Sequence, residues 1–87
     1  MIKLTKEQPH GADAIVRVEG RLDSEAVREL DAFVEGEDSP GGITLDLSGL
    51  ASVDQGGRAA LLRLRASGHR IVGASLYIHR LLEESQT

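Results

Sequence analysis

Residues 43–66 read ITLDLSGLASVDQGGRAALLRLRA, and this stretch decides how the rest of the chain is arranged. Ile43, Leu45 and Leu47 alternate with Thr44, Asp46 and Ser48, the period of a strand with one apolar face. The polar, glycine-rich run from Ser48 to Gly57 reads as a loop, and a helical pattern follows from about Gly57 to Ser67. At about 100° per residue, Gly57, Ala60, Leu61 and Leu64 share a face that should pack on the sheet, while Arg58, Leu62, Arg65 and Ala66 fall on the opposite side. Leu62 is an apolar side chain set among arginines. A strand–loop–helix junction leaves backbone N–H groups without partners at the helix start, so the working surface is expected here, for catalysis, anion binding or docking.

Upstream, Ile2 and Leu4 alternate with Lys3 and Thr5, Pro9-His10-Gly11 has the composition of a turn, and Ile15 to Glu19 alternates again. These features predict a hairpin, with Gly20 breaking its second strand. Asp23 or Ser24 can cap a helix whose apolar Ala26, Val27, Leu30, Phe33 and Val34 recur at helical spacing. Asp23, Glu25 and Glu29 lie early in it, where the helix dipole favours negative charge. Gly36 and the cluster Asp38-Ser39-Pro40-Gly41-Gly42 stop it, the Gly-Gly after Pro40 reading as a turn.

Downstream of Gly68, Arg70-Ile71-Val72-Gly73-Ala74 predicts a short buried strand, and Ser75 can cap a last helix that turns Ile78, Leu81 and Leu82 inward. Glu83 to Thr87 should fray. The element order is β-β-α-β-α-β-α. Strands joined through helices are parallel neighbours or near neighbours, which gives an α/β layer with a mixed sheet.

Eighty-seven residues are enough for one domain with a modest core, and 40% hydrophobic with 28% charged residues fits a soluble globular chain. Phe33 and Tyr77 are its only aromatic residues, so the core must be aliphatic. A net charge of −4 and a pI near 5.2 argue against sequence-independent nucleic-acid binding, which needs a basic face. The absence of cysteine excludes disulfides, thiol catalysis and cysteine metal sites, and fits a reducing compartment. Met1 to Lys6 is too short and polar for a secretory segment, and no apolar run is long enough to span a bilayer. A cytoplasmic protein without membrane insertion is expected.

No catalytic or metal constellation emerges from the reactive residues. His10, His69 and His79 are nowhere paired at i, i+4 and read as exposed polar residues, as does the pairing of His79 with Tyr77 on one helix. Asp46 and Asp54 flank the central loop, but acid–base work or a Mg²⁺ site would need a third ligand or a basic neighbour. The simpler reading sends Asp46 off the polar strand face and uses Asp54 to stabilise the helix start. Ser48 and Ser52 have no base near them in sequence, and G-x-S-x-G is absent. Gly56-Gly57 invites comparison with phosphate loops, yet neither G-x-x-x-x-G-K-[ST] nor G-x-G-x-x-G occurs. A tight turn that needs glycine accounts for the pair, and Arg58 can hold a phosphate or a partner's carboxylate.

Taken together, the motifs resemble the STAS domain family, the anti-sigma-factor antagonists and their relatives. Val16-Arg17-Val18-Glu19-Gly20-Arg21-Leu22-Asp23 is similar to that family's second strand and G-x-L-D turn. Leu45-Asp46-Leu47-Ser48-Gly49-Leu50 resembles its D-L-S-G strand end, and Val53-Asp54-Gln55-Gly56-Gly57 stands where its D-S-S-G loop would be. Gly68-His69-Arg70-Ile71-Val72-Gly73 and Leu81-Leu82-Glu83 extend the match through the next strand and helix. The resemblance implies a SpoIIAA-like fold and a non-enzymatic, bacterial protein-binding module in signalling and regulation of transcription. It also implies control by phosphorylation of a loop serine, whose charge spoils the docking surface.

Here the acceptor positions hold Gln55 and Gly56, which have no hydroxyl, so no phosphorylation site is expected in the loop. Ser52 is not at the acceptor position. Asp54-Gln55-Gly56-Gly57 is closer to the D-T-G-G loop of the small cytoplasmic STAS subunit of lipid-transporting ABC complexes, an alternative for the function. Many family members continue into a further strand and helix that this chain is expected to lack, so its sheet would miss an edge strand or borrow one from a partner or second copy. The expected partner-binding residues are Asp54, Gln55, Gly56, Gly57, Arg58, Leu62 and Arg65, whose arginines suit an acidic partner. That partner is expected to be an anti-sigma factor or kinase-like protein, or an ABC ATPase. A homodimer is compatible with the sequence, and no cofactor is implied.

Overall fold

A computed structural model gives the fold and describes residues 2–8, 14–37 and 42–84. The elements are β1 (Ile2–Glu7), β2 (Ile15–Leu22), α1 (Ser24–Glu35), β3 (Thr44–Val53), α2 (Gln55–Ala66), β4 (Arg70–Val72) and α3 (Leu76–Glu84). Their order is the one the hydrophobic periods predict. The expected turn at Pro9-His10-Gly11, residues 38–41 of the helix-stopping cluster, and the frayed end at 85–87 lie outside the described residues.

The four strands form one sheet in the order β1-β2-β3-β4. β1 runs antiparallel to β2, while β3 is parallel to both β2 and β4. Right-handed crossovers between strands laid down in sequence order put α1 and α2 on the same face of the sheet. Under them lies an aliphatic core of Val16, Val18 and Leu22 from β2, Leu45, Leu47 and Leu50 from β3, and Leu30, Leu61 and Ile78 from the helices. Phe33 packs only at its margin, and Tyr77 is exposed, so the core is aliphatic as the composition requires. Arg17 and Asp46 pair across β2 and β3 and project from the other face.

Three local expectations are corrected. Gly20 does not end β2: it takes a left-handed φ of 99° at a register shift. A bulge there lets the strand continue and return Leu22 to the core. Ser48 to Val53 is strand rather than loop, because Gly49, Leu50, Ser52 and Val53 pair with Glu19, Gly20, Arg21 and Leu22 of β2. Only Asp54 separates β3 from α2. β4 is not buried. It is a three-residue edge strand with half-buried Ile71 between exposed Arg70 and Val72.

Candidate functional site

The β3–α2 junction is built around Asp54. Its backbone is extended, and its carboxylate caps α2 by accepting from the Gly57 N–H at 2.8 Å. The other carboxylate oxygen accepts from the Ser24 N–H, the first residue of α1, at 3.1 Å. The Asp54 N–H donates to the Leu22 carbonyl at the end of β2. Asp23 separately caps α1 through the Ala26 N–H at 2.8 Å. The starts of two helices are thus tied to one side chain, a consequence of β2 and β3 being parallel neighbours. Donation from Gly57, and more weakly from Ser24 and Gly56, holds the Asp54 carboxyl below the usual aspartate range.

Gly56 and Gly57 lie in the first turn of α2, not in a preceding turn as expected. Their need for glycine is a matter of close approach. A Cβ on Gly57 would run into the Leu22 carbonyl oxygen, and one on Gly56 into the Ser24 hydroxyl. The pair lets α2 start directly against the end of β2 and the start of α1. The Gly57 N–H that a bound phosphate would use is taken by Asp54.

Beyond the cap, α2 buries Gly57, Ala60, Leu61 and Leu64, the face expected from the sequence. Gln55, Arg58, Ala59 and Leu62 line a shallow depression of about 280 Å³ on its outer side. Leu62 is half-buried against the core margin rather than fully outward. Arg65 reaches α3 and lies 3.9 Å from Glu83. A single Arg63 nitrogen, Nη2, donates to both carboxylate oxygens of Asp31 on α1, at 2.8 and 2.9 Å.

Of the expected binding residues, the structure therefore brings Gln55, Arg58 and Leu62 into one depression. Arg65 is not among the lining residues and reaches Glu83 of α3, and Asp54, Gly56 and Gly57 are engaged in joining the two helices. Ala59 belongs to the depression and is missed by the sequence reading, although its place four residues after Gln55 and three before Leu62 is a signal for it. The sequence pattern assigns Asp23 and Ser24 only to α1. Their place beside Asp54 follows from pairing β2 with β3, which no local pattern encodes.

The remaining reactive residues lie elsewhere. Asp46 accepts from the Ser48 N–H at 3.0 Å, and with Arg17 4.0 Å away its carboxyl is lowered, chiefly by that backbone bond. Eight residues of strand, roughly 25 Å, separate it from Asp54, so the two carboxylates do not form an acid–base pair. His69 is half-buried, and its Nδ1 accepts from the Ile43 N–H at 3.0 Å, which corrects its reading as an exposed residue. His79 is exposed, as expected. His10 lies outside the described residues. Among the described residues no group of three or more His, Cys, Asp or Glu is placed to hold a metal ion, and no helix is long and apolar enough to cross a membrane.

The family model described as Mlab, STAS domain, matches residues 5–85. The chain is also similar to the STAS domain of an antisigma-factor antagonist from Rhodobacter sphaeroides. The two share 29% identity with a TM-score of 0.65, over 84% of this chain and 87% of that one. A protein of the DUF3478 family with a SpoIIAA-like fold from Shewanella loihica is similar at a TM-score of 0.55. It has 14% identity over 97% of this chain and 76% of that one, a likeness of fold. No curated protein matches the chain.

Proposed function

Because the chain belongs to the STAS domain family, we propose that it is a non-enzymatic cytoplasmic module, one STAS domain over residues 1–87, that binds another protein through the start and outer side of α2. The observation that carries this reading is the depression of Gln55, Arg58, Ala59 and Leu62 directly after a rigid double cap. An apolar floor with a cationic rim suits a partner that inserts an apolar side chain flanked by carboxylates. α2 carries Arg58, Arg63 and Arg65 and no acidic residue in a chain of net charge −4. Asp54, Gln55 and Gly56 form the top of the surface, and buried Gly57 seats the helix start beneath them.

The anti-sigma-factor antagonist from Rhodobacter sphaeroides favours an anti-sigma factor or kinase-like partner. A second reading, an accessory subunit that docks on an ABC ATPase, is favoured by Gly56 and Gly57 after Asp54. Under both readings the loop is not a phosphorylation switch, since Gln55 and Gly56 carry no hydroxyl. The test is co-purification of the host's anti-sigma kinase-like protein and its ABC ATPase with wild type, Leu62→Asp and Arg58→Glu. One of the two should be retained by wild type and lost from both variants, with circular dichroism unchanged for Arg58→Glu. Equal retention by all three chains would remove this surface as the interface.

A further inference from the structure

The β4 edge of the described sheet has features that the docking reading does not use. β4 pairs with β3 along one side through Thr44, Leu45 and Asp46, and no other described strand lies along its second side. The large hydrophobic residues that are exposed among the described ones are Val72 at 45%, Leu76 at 65% and Tyr77 at 61%. All three fall within six residues of β4 and the start of α3. The Arg65–Glu83 pair fixes which flank of α3 faces α2. Tyr77, six residues before Glu83, sits roughly 120° round the helix from it, on the flank turned away from α2, whereas Leu76, seven residues before Glu83, lies within about 20° of it on the α2 side. The half-buried Leu81, four residues after Tyr77, continues the Tyr77 flank.

The opposite edge is built differently. β1 exposes Lys3, Lys6 and Glu7, and Lys6 is held by Glu37 at 2.9 Å. Charges of this kind discourage a further strand from adding to an edge. β4 exposes an apolar side chain, Val72, as well as the charged Arg70.

We infer that β4 pairs antiparallel with β4 of a second copy of this chain, giving a two-fold dimer with a continuous eight-stranded sheet. The edge is complementary to itself. With Ile71 on the two-fold axis, Arg70 of each copy stands opposite Val72 of the other. Val72 is the β4 partner of Asp46, so each Arg70 faces the other copy's Asp46 across one intervening strand, on the same face of the sheet. That juxtaposition of opposite charges occurs twice per dimer. The two Tyr77 flanks meet on the helix-bearing face of the joined strands, the face of Ile71, while Val72 and Arg70 meet on the opposite face with Asp46.

Sedimentation velocity of the full chain, from micromolar to near-millimolar concentration, tests the pairing. Wild type should move from the 9.3 kDa monomer mass to twice that mass. Val72→Lys and Tyr77→Glu, at exposed positions that leave the core intact, should remain monomeric with unchanged circular dichroism. A wild type that stays monomeric throughout, or variants that dimerise as wild type does, would overturn the inference. The chain has no cysteine, so the register is testable by oxidation. A mixture of Arg70→Cys and Val72→Cys chains should crosslink faster than either alone, and equal rates would contradict the register.

Discussion

Asp54 joins three elements, through bonds to Gly57 in α2, Ser24 in α1 and Leu22 in β2. The bonds to Gly57 and Ser24 depend on its carboxylate. Because its pKa is lowered in the folded chain, the stabilisation is complete above the ordinary aspartate value, near pH 4, and is lost as pH falls through the lowered pKa. An asparagine in its place would still cap α2, without the charge. Thermal melts of wild type should therefore fall more steeply in acid than those of Asp54→Asn. At neutral pH Asp54→Ala should cost more than Asp23→Ala, which loses a single cap and about 1 kcal/mol. Gly57→Ala drives a methyl group into the Leu22 carbonyl, backbone that cannot rotate away. It should cost roughly 2 kcal/mol or more, a drop in Tm on the order of 10 °C. Gly56→Ala meets mainly the Ser24 side chain and should cost less.

At the scale of elements, the faces of α1, α2 and α3 were legible, because each repeats apolar residues at helical spacing and follows a capping residue, Asp23, Asp54 or Ser75. The extension of β3 through Ser48 and Gly49 was not, since its partner β2 lies far back in the sequence. The same holds for Gly56 and Gly57, whose requirement is set by Leu22 and Ser24. Ile71 and Val72 look buried by composition, but a strand at a sheet edge leaves alternate side chains in water. His69 joins elements in a way no periodicity reports: it ties the α2–β4 connection to the start of β3. His69→Ala leaves the buried Ile43 N–H without its acceptor and should cost about 1–3 kcal/mol, read from urea melts. Asp31→Ala breaks the exposed ion pair with Arg63 and should cost no more than about 1 kcal/mol, since water screens such a pair in the folded chain.

For the molecule as a whole, the β-β-α-β-α-β-α order and the mixed sheet follow from the sequence, and the STAS resemblance agrees with the family match over residues 5–85. The expected docking residues divide into two groups. Asp54, Gly56 and Gly57 hold the end of the fold rigid, while Gln55, Arg58 and Leu62 share a depression with Ala59. The proposal that a partner docks in this depression is tested most directly by the affinity of the co-purified partner for wild type, Arg58→Glu, Leu62→Asp and a control on the exposed side of α1, Arg28→Glu. Arg58→Glu and Leu62→Asp should each weaken binding by about tenfold or more, a loss of at least about 1.4 kcal/mol, with Arg28→Glu near wild type. Wild-type affinity for Arg58→Glu and Leu62→Asp would contradict docking there.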